Sequence, residues 1–340
     1  MELEITDIDL PLRHPFTTAL GTTTVKTNLL VELRQDGEIG YGECASGFAY
    51  GSSPVTMRSA LELARREIEA EHLDDPASLW ERLEPALGHD RFAFCGLDQA
   101  AHDLWGKLEG APVWELWGQD ISELPPSSYT IGIDEIGKMI AKMEEFRGWP
   151  IYKIKLGTDH DLETVRELRK HTDAIFRIDA NTAWSAEQTI AYAPELEGLG
   201  VEFLEQPLKR EDWAGMEKLR SECELPVIAD ESCLVEADLD RCAGLFDGVS
   251  IKLCKAGGLT PARRMIGRAR ELGLGVMAGC MTESSVGISA IAQLLPQLDF
   301  VDMDGAVLIA DGGDIARGVR LERGEAIFPA VDGNGVTLTK

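Results

Sequence analysis

The sequence predicts an α/β protein in which an N-terminal α+β unit precedes a closed barrel of parallel strands. Two observations carry this prediction. Three strand-like segments and then three helical patterns occupy the first part, whereas strands and helices alternate from Ser127 onward. Successive strand ends in the second part lie roughly 20 to 28 residues apart, which fits one strand and one helix per unit. An open doubly wound sheet is the alternative, but no GxGxxG motif follows any strand.

In the first part, alternating apolar residues predict strands, and apolar residues at helical spacing predict helices. The strands are Glu2–Leu12, Thr27–Leu33 and Glu38–Cys44, and the helices are Val55–His72, Pro76–Leu87 and Arg91–Leu108. Residues 17–24 and 47–53 are rich in small residues and are predicted as mobile loops. They are either simple connections or lids over a site.

The second part contains eight short runs of β-branched, aromatic and other apolar residues that predict buried strands. They are Tyr129–Ile133, Ile151–Lys155, Ile175–Asp179, Val201–Glu205, Val227–Asp230, Gly248–Lys252, Leu274–Ala278 and Phe300–Asp302. Residues 303–340 are rich in glycine and are expected to return to the first part.

Composition excludes several classes of function. The 340 residues carry a formal net charge of -26, which argues against nucleic acid and anionic membranes as partners. No run of about 18 apolar residues is present, so no membrane span is expected. The first residues lack the pattern of a signal peptide, so a cytoplasmic protein is expected. The seven cysteines include no CxxC pair, which favours reduced thiols over a zinc site.

Two lysines share one side of the second barrel strand, in the segment WPIYKIKLG. Because side chains alternate along a strand, Lys153 and Lys155 point the same way. Neighbouring ammonium groups repel, which favours loss of a proton from one of them, and a neutral lysine can act as a base. A pair of surface lysines is the alternative interpretation of an isolated KxK motif.

Three carboxylates close successive strands in the segments RIDAN, FLEQP and IADES. Barrel enzymes place catalytic groups at these strand ends, so Asp179, Glu205 and Asp230 are expected to converge. Three unpaired carboxylates would repel, and oxygen ligands suit Mg²⁺ or Mn²⁺. The alternative is that each acid caps the helix that follows it.

The sixth strand supplies a further lysine, in SIKLCKAGG. Lys252 shares a face with Ser250, whereas Lys255 lies beyond the strand and is expected to face solvent or a helix end. Lys155 and Lys252 would then face each other across the predicted metal. That arrangement suits removal of a proton from one face of a carbon and its return to the other.

The ordered set KxK, Asp, Glu, Asp, Lys resembles the enolase superfamily, in its muconate-lactonizing subgroup, over essentially the whole chain. The resemblance implies a (β/α)7β TIM-type barrel with an N-terminal α+β capping domain, divided into residues 1–120 (cap), 121–315 (barrel) and 316–340 (a segment returning to the cap). It implies Mg²⁺, with Mn²⁺ as the alternative, and these roles: metal ligands Asp179, Glu205 and Asp230; acid/base residues Lys155 and Lys252; and Lys153 on the substrate carboxylate.

The eighth strand reads FVDMDGAVL, and its DxD motif resembles the dipeptide epimerases, such as those acting on L-Ala-D/L-Glu. The resemblance places Asp302 and Asp304 on the free α-ammonium of a dipeptide, which is a cation that needs carboxylate partners. A solvated acidic turn is the alternative. The segments IKLCKAGG and MAGCMTES are also similar to those enzymes. They put Cys280 and Met281 at the edge of the substrate, and Thr130, in YTIG, in contact with it.

The resemblance therefore implies a metal-dependent dipeptide epimerase. It would invert the α-carbon of the C-terminal residue by a two-lysine 1,1-proton transfer through an ene-diolate. The expected partner is a small dipeptide, and a homo-oligomer is expected. The loop TTALGTTTV has no arginine near Gly21, where Ala-Glu epimerases often carry one, and Lys26 is the nearest cation. A second substrate residue that is apolar, polar or cationic is therefore expected to be accepted at least as well as Glu.

Other functions stay open at this point. A lyase such as o-succinylbenzoate synthase or muconate cycloisomerase would need only one lysine as a base. An N-acylamino-acid racemase of the same subgroup would prefer acylated substrates. A barrel that binds peptides without turnover would leave costly buried charges unused, and a Schiff-base aldolase would leave the three carboxylates unexplained.

Overall fold

The computed structural model describes residues 1–19 and 21–339. Its N-terminal part is an antiparallel sheet in the order β1-β2-β3, followed by helices. The elements are β1 (Glu2–Thr18), β2 (Gly21–Gln35), β3 (Glu38–Cys44), α1 (Pro54–Ala70), α2 (Pro76–Leu87), α3 (Arg91–Glu109) and α4 (Val113–Leu116). Ser53, Asp75 and Asp90 begin the three long helices, because each side chain accepts a hydrogen bond from a backbone N–H of the first turn.

The second part alternates strands and helices. Its elements are β4 (Tyr129–Ile131), α5 (Ile136–Glu145), β5 (Ile151–Lys155), α6 (Asp161–Arg169), β6 (Ile175–Asp179), α7 (Ala186–Gly198), β7 (Val201–Glu205), α8 (Trp213–Glu222), β8 (Val227–Ala229), α9 (Leu239–Cys242), β9 (Gly248–Lys252), α10 (Leu253–Ala256), α11 (Leu259–Glu271), β10 (Gly275–Gly279), α12 (Ser285–Ala292) and β11 (Phe300–Asp302). Short strands follow: β12 (Ala316–Arg317), β13 (Arg320–Glu322), β14 (Glu325–Ile327) and β15 (Thr337–Leu338).

The strands β4 to β11 form one parallel sheet in chain order that curls into a nearly closed barrel. The first and last strands meet at a seam, where Ser127 bridges to Val301 and the backbone N–H of Ser128 donates to the Val301 carbonyl at 3.3 Å. The predicted barrel with an N-terminal antiparallel domain is thereby confirmed, and the open sheet is excluded.

Strand register places the predicted functional side chains in level rows. Lys155 is paired with Asp179, and Asp179 with Glu205, across β5, β6 and β7. On the far side, Lys252 is level with Gly279, which is level with Asp302, across β9, β10 and β11. Because these residues end their strands, both rows lie at the carboxyl rim of the barrel, where barrel enzymes carry their active sites.

Glu43, on β3 of the N-terminal domain, joins that domain to the barrel. Its fully buried carboxylate accepts hydrogen bonds from the Asn28 side chain (2.7 Å), from the Ser284 hydroxyl (2.5 Å) and from the backbone N–H groups of Ser284 and Gly287. The last two belong to the N-terminus of α12, where a carboxylate is favoured by unpaired N–H groups and by the helix dipole. The cap is therefore fixed to the barrel beside its carboxyl rim.

The structure corrects the loop prediction for residues 17–24, whereas residues 47–53 connect β3 to α1 as predicted. Thr17 and Thr18 end β1 and Gly21–Thr24 begin β2, so these residues extend the hairpin; residue 20 of the predicted loop lies outside the described residues. Threonine favours strands, which explains the outcome. Residues 47–53 contain a 3-10 turn at Phe48–Tyr50, closed by a bridge between Gly47 and Ser52. Among the described residues, no helix combines the length and the hydropathy that crossing a bilayer requires.

Candidate active site

A cavity of about 560 Å³ lies at the carboxyl rim of the barrel, beneath the β1–β2 hairpin and the Phe48–Tyr50 turn. The residues predicted to act on a substrate line it: Lys153, Lys155, Lys252, Asp302, Asp304, Thr130, Cys280 and Met281. A larger cavity of about 680 Å³, between the turn and α3, contains none of the predicted site residues. The predicted site residues therefore identify the smaller cavity as the candidate active site.

The three predicted metal ligands converge beside this cavity. Each of Asp179, Glu205 and Asp230 offers a carboxylate oxygen that lies within 4.8 Å of the others, and all three side chains are buried. Neither carboxylate oxygen of Glu205 accepts a hydrogen bond from the described residues, although the Lys153 ammonium lies 2.7 Å from Oε2. A buried carboxylate without donors is costly. The donor set is all oxygen, which fits Mg²⁺ or Mn²⁺.

The ammonium groups of the three predicted site lysines lie beside these acids. Lys153 is 1% exposed, and its Nζ lies 2.7 Å from Asp302, 2.7 Å from Glu205 and 3.2 Å from Asp179. Lys155 lies 2.5 Å from Asp179, so both lysines of the KxK motif face the acidic group as alternation requires. Across the barrel, Lys252 lies 2.7 Å from Oδ2 of Asp230. A Cβ at Gly279 would come within 3.0 Å of the Lys252 side chain, so the glycine leaves room for it.

Ion pairs favour the charged forms of most of these groups, against the effect of burial. Burial lowers the pKa of Lys153, but Asp302, Glu205 and Asp179 outweigh it and hold the pKa well above its usual value. The pKa of Lys252 is also well above its usual value, because Asp230 outweighs the effect of burial. Against the effect of burial, Lys155 and Lys153 lower the pKa of Asp179, and Lys252 and Lys255 lower the pKa of Asp230. Burial raises the pKa of Glu205, in spite of Lys153.

The predicted position of Lys255 is wrong. It is 3% exposed, faces neither solvent nor a helix end, and contacts Oδ1 of Asp230 at 2.5 Å. The alternation rule applies only along a strand, and the chain turns into the short helix α10 directly after Lys252. That turn directs Lys255 inward, behind the metal ligand.

The DxD motif lies at the barrel seam and not in a solvated turn. Asp302 and Asp304 are 4% and 1% exposed. Thr130 on β4 donates to Asp304 from its backbone N–H (2.6 Å) and from its hydroxyl (3.2 Å), and Ser128 donates to Asp302 (3.0 Å). Burial and the charge of Asp302 raise the pKa of Asp304 to about 7, whereas Lys153 overcomes burial and lowers that of Asp302 to about 2. The motif therefore offers a buried carboxylate for a cation at neutral pH.

Several residues that line the cavity were not predicted. Asn181 and Glu231 follow the metal ligands in the RIDAN and IADES segments, so their nearness could have been inferred from those motifs. Phe48 and Tyr50 come from the turn in the cap, and Phe48 is 96% exposed. Their position over the barrel agrees with the lid alternative for residues 47–53, although the sequence did not single out either aromatic residue.

A second acidic cluster lies at the edge of the cavity, next to the joint between cap and barrel. Glu283 accepts a hydrogen bond from the backbone N–H of Met281 at 2.8 Å. Burial, and then the charge of Glu43, raise its pKa to about 8. Lys26 lines the cavity near these acids, and burial lowers its pKa although Cys254, Glu283 and Glu43 oppose the shift. No hydrogen bond or ion pair joins Lys26 to the described residues.

Comparison with known families gives two matches along the chain. Residues 1–118 match the family described as mandelate racemase / muconate lactonizing enzyme, N-terminal domain, and residues 136–340 match the family described as enolase C-terminal domain-like. Together these matches cover most of the sequence.

Individual relatives share the full length. The L-Ala-D/L-amino acid epimerase of Maribacter sp. is 54% identical over 100% of both chains, and that of Flavobacterium johnsoniae is 49% identical over 99% of this chain and 100% of its own. Among solved structures, the dipeptide epimerase of Enterococcus faecalis V583, complexed with Mg and L-Leu-L-Tyr, superposes with a TM-score of 0.93 at 28% identity and covers 99% of each chain.

Proposed function

Because the chain belongs to the enolase superfamily, with the N-terminal domain of the mandelate racemase and muconate lactonizing enzymes, we propose that it is a dipeptide epimerase. It inverts the α-carbon of the C-terminal residue of dipeptides such as L-Ala-L-Xaa. One observation carries the proposal: two lysines on opposite walls flank an acidic metal site, in a cavity whose seam presents a buried aspartate pair. The relatives that act on L-Ala-D/L-amino acids support it.

Lys155 and Lys252 are the proposed acid/base pair. They end β5 and β9, which are four strands apart in an eight-stranded barrel, so their ammonium groups reach the cavity from opposite walls. One lysine, in its neutral form, removes the α-proton from one face. The other delivers a proton to the opposite face, which inverts the carbon.

The proposed ligands of a divalent cation are Asp179, Glu205 and Asp230. When bound, the cation would supply positive charge that offsets the three carboxylates, favours a neutral lysine, and stabilises the negative charge that develops on the substrate carboxylate when the α-proton leaves. Lys153 lies within 3.2 Å of two of these ligands and of Asp302. We assign it to orienting the carboxylates and to meeting the carboxylate of the substrate.

The ammonium end of the dipeptide is assigned to the seam. The charge of Asp302 is already compensated by Lys153 at 2.7 Å, whereas the side chain of Asp304 accepts, among the described residues, only from the uncharged donors of Thr130. Asp304 is therefore the principal counterion for the α-ammonium of the substrate, because a buried carboxylate gains most from a charged donor. Thr130 orients it, and Cys280 and Met281 line the edge of the same cavity.

The second residue of the substrate faces the cap. Thr22, Thr23 and Phe48 line this side of the cavity and offer no positive charge, and Lys26 is the cation of the cap that reaches it. This lining fits apolar and polar side chains, in keeping with relatives that accept L-Ala-D/L-amino acids. An acidic side chain would depend on Lys26.

We also propose the division into residues 1–120, 121–315 and 316–340. Contacts of the last segment with the first support it. The Gly333 carbonyl accepts from the backbone N–H of Val113 at 2.9 Å, and the backbone N–H of Asn334 donates to Asp103 at 2.7 Å.

The proposal is tested with a panel of L-Ala-L-Xaa dipeptides and their N-acetyl forms in deuterated water, with Mg²⁺ present. Mass spectrometry follows deuterium at the α-carbon, and chiral separation follows inversion. We expect exchange with inversion of several free dipeptides and weak activity on the N-acetyl forms, which lack the ammonium. Preference for N-acetyl substrates would show that the protein is an N-acylamino-acid racemase and not a dipeptide epimerase. Exchange without inversion would point to a lyase that uses a single lysine.

A further inference from the structure

Lys255 lies directly behind a proposed metal ligand, and the mechanism above does not use it. Its Nζ contacts four oxygen atoms: Oδ1 of Asp230 (2.5 Å), the carbonyl of Asp230 (2.7 Å), the carbonyl of Cys233 (3.2 Å) and the carbonyl of Ser250 (3.3 Å). The ammonium group has three hydrogens for these four acceptors, so at least one hydrogen is shared between two of them. Lys255 therefore joins the end of β8, and the turn that follows it, to β9.

These contacts divide the two oxygens of Asp230 between two lysines. Oδ2 contacts Lys252, which lines the cavity, and Oδ1 contacts Lys255, which does not. Lys255 cannot reach a substrate in the cavity, so it exchanges no proton with it. Its carbonyl contacts fix the ammonium in place, and the ammonium in turn fixes the rotation of the carboxylate.

We propose that Lys255 is a positioning residue for the metal ligand Asp230. By holding Oδ1, it leaves Oδ2 as the single oxygen that Asp230 presents to the cation, and it prevents the carboxylate from turning to bind through both oxygens. The inference rests on the proposed function, because it requires Asp230 to be a ligand. Partners that orient a ligand in this way typically change metal affinity about 10-fold to 100-fold when they are removed.

Removing Lys255 has two effects of opposite sign on the affinity for the metal cation, so the measured affinity distinguishes between them. Deleting a positive charge beside Asp230 would, by charge alone, strengthen the binding of another cation. Losing the fixed orientation weakens it. We therefore expect that Lys255→Met binds Mg²⁺ and Mn²⁺ at least tenfold more weakly than the wild type, in spite of the lost positive charge.

The experiment measures metal binding without substrate, by calorimetric titration of the metal-free protein with Mg²⁺ and with Mn²⁺. Lys107→Met is the matched control, because Lys107 also forms a largely buried ion pair, with Asp103 at 2.6 Å, on α3 of the cap. It should lose stability and keep the wild-type dissociation constant. Equal or tighter binding by Lys255→Met would overturn the proposal. A wild type that binds neither ion would overturn the metal assignment as well.

A second measurement does not depend on the variant folding. A crystal structure of the wild type with Mg²⁺ should show Asp230 binding through one oxygen, with the other still held by Lys255. Coordination through both oxygens, or Lys255 displaced from Asp230, would refute the assignment.

Discussion

The replacement Asp304→Asn examines how the seam selects a free amine. Asparagine keeps the shape of the side chain and an oxygen that accepts from the backbone N–H of Thr130, now at 2.6 Å. It removes the negative charge that we assign to the dipeptide ammonium. Barrel closure should therefore survive while the attraction is lost, so the change in activity reports the charge itself.

The expected magnitude follows from burial. Asp304 is 1% exposed, so little water screens the contact. A hydrogen bond to a charged group contributes about 1.5 to 3 kcal/mol. At about 1.4 kcal/mol per tenfold, kcat/KM for L-Ala-L-Xaa should fall about 10-fold to 100-fold. Most of the loss should be in KM, because Asp304 binds the amine and not the reacting carbon.

The pH dependence gives a sharper test. Burial and Asp302 raise the pKa of Asp304 to about 7. At lower pH the carboxyl is protonated and neutral, which makes the wild type resemble the variant. The ratio of wild-type to Asp304→Asn kcat/KM should therefore rise as pH increases through about 7, and it should shrink toward one below pH 6. Taking the ratio cancels other groups that titrate in both proteins.

The assay follows α-deuterium exchange of one dipeptide from pH 5.5 to 8.5. Asp240→Asn is the control, because Asp240 is an exposed partner of Arg268 on the outer surface of the barrel. It should match the wild type throughout. A variant ratio that stays constant across this range, or an Asp304→Asn enzyme as active as the wild type, would refute the role of Asp304.

Three further predictions follow from the site. Lys155→Ala and Lys252→Ala should each abolish inversion while allowing one substrate isomer to exchange its α-proton; epimerisation near the wild-type rate by either would exclude the two-base reaction. Chelation should remove activity and added Mg²⁺ or Mn²⁺ should restore it, so full activity in excess chelator would contradict the metal site. Glu283, with a folded pKa of about 8 against an ordinary 4.5, binds more protons when folded than when unfolded between those values. Its contribution to stability is therefore present below about pH 4.5 and is lost as pH rises toward 8. At pH 8.5 the charged carboxylate is buried near Glu43, Lys26 and Lys252, so Glu283→Gln should raise Tm there. An unchanged Tm would argue against a buried charge.

The strands and their terminal residues could be predicted from sequence because both are local signals. A run such as IYKIK carries its own burial pattern, and the side chains that end parallel strands must converge at one rim. Asp179 and Lys155 are therefore found together, as that reasoning requires. The roles of the site residues remain proposals that the experiments above address.

Residues fixed by distant contacts could not be predicted in this way. Lys255 was misplaced because the chain leaves the strand after Lys252, and no periodicity describes one turn of helix. Glu43 caps a helix that begins more than two hundred residues later in the chain. Its position in a strand of the cap carries no sign of that partner. Such pairings depend on how two domains dock, which a single sequence does not encode locally.

The seam has a consequence for how this protein can diversify. The side chains that bridge β4 and β11, Thr130 with Asp304 and Ser128 with Asp302, complete the barrel and also form the proposed amine site. A change of substrate class that requires side chains of a different shape at this position would therefore disturb closure of the fold, so few substitutions other than same-shaped ones such as Asp304→Asn should be tolerated there. The β1–β2 hairpin covers the cavity from outside the barrel. Side chains of the hairpin that line the cavity are not among the side chains that bridge β4 and β11, so substitutions there should change the preference for the second residue of the substrate more readily than the preference for the free amine.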